Sequence, residues 1–481
     1  MESSDKKPPR HPQVVVLGAG LAGLAAVDAV VRRGGLGSRE VTIVEPSGRP
    51  GGVIGTRHTD GWLVERSADC FLAARPEGLD LVARLGLEGE LIGVLPEARR
   101  ALIWHAGRAV PAPAGFRLLA PGRLGPVLGS PLLSLAGRLR LVGERFVPRG
   151  TGDDESLEQF AVRRLGREAF ERLVQPLASG IWTADPSRLS MAAACPDFLA
   201  LEREHGSLWA GERARLRRQP PAGEATGARY GQFITLASGM ETLPRTLAAQ
   251  LRQCGVRFAK AAATGLVRES DGRWRVETTG ADGGTLRADA VVVASPAPVA
   301  SRLLAGTDAN LAADLAAIDY AGSCIVSLGF TRDRVSHPLD AAGMVIPRAE
   351  GRRVLAVSFS SSKFPGRAPR GCVLMRVFIG GALDPEAVRL DDAALVERAL
   401  SEVEQMLGTR GEPRLAHVER WAGAMPQYHL GHVARMARID AAVARLPGLT
   451  IAGAAYAGVG IPQVIASGRR AAEACLTTSH R

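Results

Sequence analysis

Apolar positions along the chain fall into runs of two periods. Val14-Val15-Val16-Leu17 is a continuous run that ends in Gly18-Ala19-Gly20-Leu21-Ala22-Gly23, a pattern that predicts a buried strand feeding a tight turn. Helical spacing follows from Leu24 to Arg33, stops at Gly34-Gly35, and gives way to a second β-rich run, Val41-Thr42-Ile43-Val44, closing on Glu45. Gly61-Trp62-Leu63-Val64-Glu65 predicts a short strand, and Leu79, Leu81, Val82, Leu85 and Leu87 predict helix over 76–96. Over 98–145, Pro111, Pro113, Pro121, Pro126 and Pro131 predict loops and brief helices rather than a sheet. Residues 154–217 read as helices, opening at Ser156 to Gln159, and a Pro/Gly hinge follows at Gln219 to Gly223. Beyond it the period changes: Val256 to Phe258, Trp274 to Glu277, Ala290 to Val293, Ile325 to Phe330, Val354 to Phe359 and Val373 to Ile379 predict strands. The chain closes with a strand at Leu449 to Gly453 and a helix from Ile461 to Leu476, lightly broken at Gly468.

A strand that enters a G-x-G-x-x-G turn and leaves in a helix is a dinucleotide fingerprint. Gly18 makes the turn, Gly20 admits a pyrophosphate, and Gly23 lets helix and strand pack closely. The pyrophosphate sits at the helix N-terminus, and Glu45, about 20 residues on, has the position of a ribose-binding carboxylate. NAD and FAD enzymes share these features. Arg49-Pro50-Gly51-Gly52, just beyond Pro46, resembles the extension that contacts FAD in glutathione-reductase-like flavoproteins.

With 481 residues, 46% of them hydrophobic, the chain predicts two interleaved domains. The net charge of +11 comes almost wholly from arginine spread along the chain; only Lys6, Lys7, Lys260 and Lys363 are lysines. That distribution reads as a solvated surface, not a nucleic-acid site. Cys70, Cys195, Cys254, Cys324, Cys372 and Cys475 have no metal-like spacing and predict reduced thiols. His429 and His432 lack a third ligand, so no metal is expected. Met1 to Pro12 is polar and no apolar run reaches ~18 residues, which predicts a soluble, cytoplasmic protein. Basic and apolar residues interleaved at Phe116 to Leu119 and Arg138 to Val142 leave peripheral membrane contact open.

Met425-Pro426-Gln427-Tyr428-His429-Leu430-Gly431-His432, Gly453 to Pro462, Gly180-Ile181-Trp182 and Glu202 to Ser207 together resemble segments of the protoporphyrinogen and coproporphyrinogen III oxidases of haem biosynthesis, within the FAD-dependent amine-oxidase superfamily. Met425 to His432 is similar to that family's PQYxxGH, and Gly453 to Pro462 to its C-terminal FAD loop. Gly180-Ile181-Trp182 and Glu202 to Ser207 resemble its substrate region. The resemblance implies an α/β fold: a Rossmann-like FAD-binding domain (1–90, 230–300 and 415–481), a helical substrate or membrane-facing subdomain (91–229), and an α+β substrate part (301–414). It assigns Gly18, Ala19, Gly20, Leu21, Ala22, Gly23, Glu45, Pro46, Arg49, Gly51, Gly52, Gly61, Trp62, Ala263, Trp421, Val459, Gly460 and Ile461 to FAD. Glu65 to Leu72 resembles ExGPxSF with a Gly-Pro pair replaced by Ser67-Ala68, and puts Asp69 near the substrate as hydrogen-bond partner or proton acceptor for a pyrrole N–H. Arg100, or Arg99 if the alignment slips by one, is the implied propionate clamp, and Gly180 a substrate neighbour.

The implied reaction is three cycles of two-electron oxidation of a porphyrinogen, with dioxygen as acceptor and hydrogen peroxide as product. Gly458 to Pro462 is worded more like the coproporphyrinogen branch and Glu202 to Ser207 more like the protoporphyrinogen branch, so both substrates stand. Hand-off to a downstream chelatase and a homodimer stand open as partners. The rival readings are another superfamily enzyme, an amine oxidase or carotenoid desaturase, and a non-catalytic porphyrin-binding flavoprotein.

Overall fold

A computed structural model of the chain describes residues 11–34, 39–150, 152, 154–218 and 233–478; the expected hinge at Gln219 to Gly223 lies outside them. Five parallel strands form one sheet in the spatial order Arg257–Ala259, Glu40–Val44, Gln13–Leu17, Ala290–Val293, Leu449–Ile451. The first strand reads as an unbroken apolar run because both its faces are covered. Val14 and Val16 pack with helices Leu21–Gly34, Thr242–Gln253 and Ile461–Thr478. Val15 and Leu17 pack beneath the antiparallel strands Ala261–Arg268, Trp274–Gly280 and Gly284–Ala288.

A second sheet has seven strands, in the order Leu415–Pro426, Tyr320–Thr331, Cys372–Gly380, Ala356–Ser358, Gly343–Val345, Ala101–His105, Arg108–Pro111. Helix Asp392–Leu407 covers the face bearing Val326, Leu328, Met375 and Val377. The opposite face, with Gly329, Leu374 and Arg376, meets the hairpin Thr56–Thr59/Trp62–Glu65 and the loop after it. A third layer, helices between Leu124 and Arg218, has its own core around Phe160, Leu173, Trp182 and Phe198. Its helix Leu157–Leu165 begins with a complete capping box between Ser156 and Gln159.

Three expectations change. The region from 98 contributes two strands to the seven-stranded sheet: Ala101 to Trp104 is buried on both faces, so it shows no alternation, and Pro111 is tolerated because its strand is an edge. The helix expected over 76–96 stops at Arg84, and Gly86 (φ +69°) turns the chain into strand Leu91–Gly93. Leu87 and Leu91 still pack on the same core as Leu81, which explains the shared spacing. The strand Leu415–Pro426, expected within the FAD-binding span, pairs with Tyr320–Thr331 in the second sheet.

Candidate active site

The first strand enters a turn that only glycine can make. Gly18 has φ +113°, and a Cβ at Gly23 would fall 2.0 Å from the Gly18 carbonyl oxygen. A Cβ at Gly20 would meet nothing within 4 Å, so that side of the turn is open. The Gly51 N–H donates to the Ala19 carbonyl (2.8 Å), and a Cβ at Gly52 would lie 3.3 Å from Gly20 Cα. Arg49 braces this second turn by donating to the carbonyls of Ile54 and Gly52. Glu45 accepts from Ala19 N (2.9 Å) and from Ser47, with Pro46 exposed beside it. The open pocket, bounded by two glycine turns and the N-terminus of helix Leu21–Gly34, fits a pyrophosphate.

The last strand delivers a second glycine loop to the cradle. Gly453 (φ +141°) and Gly458 (φ +122°) bound it, and the Tyr428 hydroxyl lies beneath: it accepts from Gly458 N (3.0 Å) and donates to the Ala454 carbonyl. Tyr428 is buried and stacks on His432 at 4.4 Å, and burial raises its phenol above the ordinary range, so it remains a donor. Val459 packs against the helical layer and Ile461 against the cradle core, so Val459-Gly460-Ile461 bridges the two. The following helix is unbroken. Gly468 is a packing position, where a Cβ would fall 2.1 Å from the Ala22 carbonyl oxygen of the first helix.

Between these loops runs Arg66 to Phe71. Ser67 Oγ donates to the Val53 carbonyl next to the cradle, and Phe71 shares the core of Ile461. The Trp421 indole N–H donates to the Arg66 carbonyl (2.8 Å), and the Arg66 guanidinium lies 5.7 Å from the indole and pairs with Glu419, which also meets His417. Asp69 is bound at both oxygens by Lys363 Nζ (3.1 Å each), with Arg376 Nη1 at 3.6 Å and Cys70 Sγ at 3.2 Å. Burial alone raises a carboxyl; here the Lys363 ammonium and Arg376 overcome it and hold Asp69 well below the usual carboxylate range. Asp69 therefore accepts a hydrogen bond but is a poor proton acceptor, which narrows the role expected for it. Glu65, 2% exposed, accepts from Thr56 Oγ1 and Met240 N, and burial pushes it up to about 7.

The other expected residues have different surroundings, and Ala263 packs on the core of Leu17 and Val44 next to the cradle turn. Arg100 is engaged by Asp340, to whose carbonyl and carboxylate it donates, and Arg99 Nε donates to the Val94 carbonyl; neither guanidinium is presented as a free clamp. Gly61 is the exposed tip of the hairpin, and Trp62 is buried on Gly329 and Leu374, which places both in the contact with the second sheet rather than in the cradle. Gly180 is exposed on helix Gln175–Trp182, facing Val345, and Ala263 lies beside a bulge in the antiparallel strands. Glu202 and Ser207 belong to a buried network with Arg163, Arg164 and Glu144 that holds the helical layer together. His429 pairs with Asp319, and no group of three metal-ligating side chains occurs among the described residues.

Residues 21–476 match the family of flavin containing amine oxidoreductases. The chain belongs to that family. It is 33% identical to coproporphyrinogen III oxidase of Bacillus subtilis (strain 168), over 96% of this chain and 98% of the relative. It is 32% identical to protoporphyrinogen oxidase of Homo sapiens, over 97% and 98%. A crystal structure from Exiguobacterium sp. 255-15, provisionally assigned as a protoporphyrinogen oxidase, superposes with a TM-score of 0.84 over 98% of this chain and 100% of that one, at 27% identity. The cofactor is FAD, and the cradle fits it: the turn is open on the side where a Cβ at Gly20 would meet nothing within 4 Å, and Gly52 comes so close to Gly20 that a Cβ there would narrow the cradle.

Proposed function

We propose that the chain oxidises a porphyrinogen to the porphyrin, passing electrons to dioxygen and releasing hydrogen peroxide. The observation that carries the reading is the end-to-end likeness to relatives named for coproporphyrinogen III and for protoporphyrinogen oxidation, each covering 96% or more of this chain. Bound FAD supplies the two-electron acceptor and its reoxidation by dioxygen. The protein's own residues do the rest. Gly18 to Gly23, Glu45, Arg49, Gly51 and Gly52 hold the dinucleotide end, and the Gly458–Ile461 loop, fixed by Tyr428, carries the flavin end. Asp69 orients a pyrrole N–H by accepting its hydrogen bond, and the apolar helical layer behind Val459 excludes water.

The test is anaerobic stopped-flow reduction of the protein's flavin by coproporphyrinogen III and, separately, by protoporphyrinogen IX. Bleaching by one, with peroxide on admitting oxygen, establishes the reaction and its substrate. A flavin-replete protein bleached by neither refutes it.

No helix among the described residues is long and apolar enough to cross a membrane. A peripheral contact belongs to the same proposal. Leu135, Leu139, Val142 and Phe146 repeat at helical spacing on helix Leu135–Val142 and the turn after it, and they stand 73%, 67%, 38% and 73% exposed beside Arg140 and Arg145. Co-sedimentation with phosphatidylglycerol vesicles that Leu139→Asp does not reduce would refute it.

A further inference from the structure

We infer that Lys363 is a positioning residue that keeps Asp69 a fixed, ionised hydrogen-bond acceptor for the substrate; this rests on the proposed porphyrinogen reaction. Lys363 is one of four lysines in a chain with 60 basic residues, and it is 8% exposed. Its ammonium has three protons and three acceptors around it: Asp69 Oδ1 and Oδ2 at 3.1 Å and Cys70 Sγ at 3.2 Å. No proton is left for a substrate carboxylate, so the ammonium acts through Asp69. The rings of Phe364 and Phe233, 5.0 and 5.5 Å away, wall off the remaining side.

The surroundings explain why a cation is needed there. Asp69 lies on the loop that joins the dinucleotide cradle to the core of Ile461, where its carboxylate is 15% exposed. A buried carboxylate without a partner takes up a proton. Arg376 lies farther off, at 3.6 Å, and its Nη2 is committed to the Ser67 carbonyl; Cys70, pushed up to about 12 chiefly by burial, is a neutral thiol. Farther out, Arg367 is bound to the carbonyls of Leu236 and Ala237, and Glu65 to Thr56 and Met240. Lys363 is thus the group that binds both carboxylate oxygens, fixing their direction as well as their charge.

The experiment measures equilibrium binding of the porphyrin product to the FAD-loaded protein by fluorescence quenching from pH 5.5 to 8.5, with flavin-reduction rates alongside. In the wild type Asp69 is ionised throughout this range and adds no step to the binding profile, and any step from Glu65, near 7, is common to every variant. Lys363→Met brings an ionisation into the range, weakening binding by about tenfold towards pH 5.5. Asp69→Asn binds more weakly at every pH with no such ionisation, and Lys363→Met adds nothing to it. A pH-independent loss in Lys363→Met, or losses that add in the double variant, overturns the inference. Lys363→Gln is read in the same way if Lys363→Met does not retain FAD. Failure of the wild type to bind either porphyrin or be reduced by either porphyrinogen refutes the proposed reaction instead.

Discussion

Replacing Tyr428 with Phe isolates the anchor of the flavin-side loop. The hydroxyl accepts from Gly458 N at 3.0 Å and donates to the Ala454 carbonyl, while the ring stacks on His432 and fills the helical core. Phe preserves the ring and deletes both hydrogen bonds. An unsatisfied buried polar group costs about 1–3 kcal/mol, and both loop groups are half-buried, so about 1 kcal/mol each is the reasonable share. If the loop forms its flavin-binding shape only when FAD is bound, about 2 kcal/mol is a roughly 30-fold rise in the dissociation constant. The assay is titration of the deflavinated protein with FAD, followed by flavin fluorescence, with thermal unfolding of the holoprotein alongside. A dissociation constant within about twofold of the wild type, with unchanged unfolding, would refute the claim that Tyr428 holds the loop.

Two further substitutions test the burial argument. Glu65 has its folded value raised to about 7 from an ordinary 4.5, so its contribution to stability is full below 4.5 and is lost as pH rises from 4.5 through 7. Glu65→Gln, which keeps an acceptor for Met240 N, is expected to melt above the wild type at pH 8, by a term of up to about 3 kcal/mol, and level with it near pH 4.5; equal melting at both pH values would exclude an ionised, buried Glu65. Gly468→Ala puts a methyl 2.1 Å from the Ala22 carbonyl oxygen and 3.0 Å from Ala26 N, forcing the first and last helices apart. Calorimetry and flavin content should show a loss of about 1–3 kcal/mol and reduced FAD retention.

What the sequence discloses is what local geometry decides. The glycine turn, the two flanking strands and the cap at Ser156 depend on residues within a few positions of one another, and each reads correctly from the chain. The errors fall where a distant contact replaces the local rule. Ala101 to Trp104 lacks alternation because layers from other parts of the chain cover both faces, and Gly468 looks like a helix break until the first helix, more than 400 residues earlier, is seen lying against it.

The substrate side follows the same logic with charges in place of shapes. Arg100 matches a clamp by position, yet Asp340 takes up its guanidinium from 240 residues away. Asp69 reads as a candidate base until Lys363, 294 residues on, and Arg376 from the second sheet are placed beside it. A carboxylate's position can be read from a motif, but its proton affinity belongs to the groups the fold packs around it. In this chain the deciding group is one of its few lysines. Its ammonium has three donors where a guanidinium would bring a planar fork, and the three acceptors grouped around Asp69 match the ammonium. An Asp69 held this way is suited to direct an N–H rather than to take its proton.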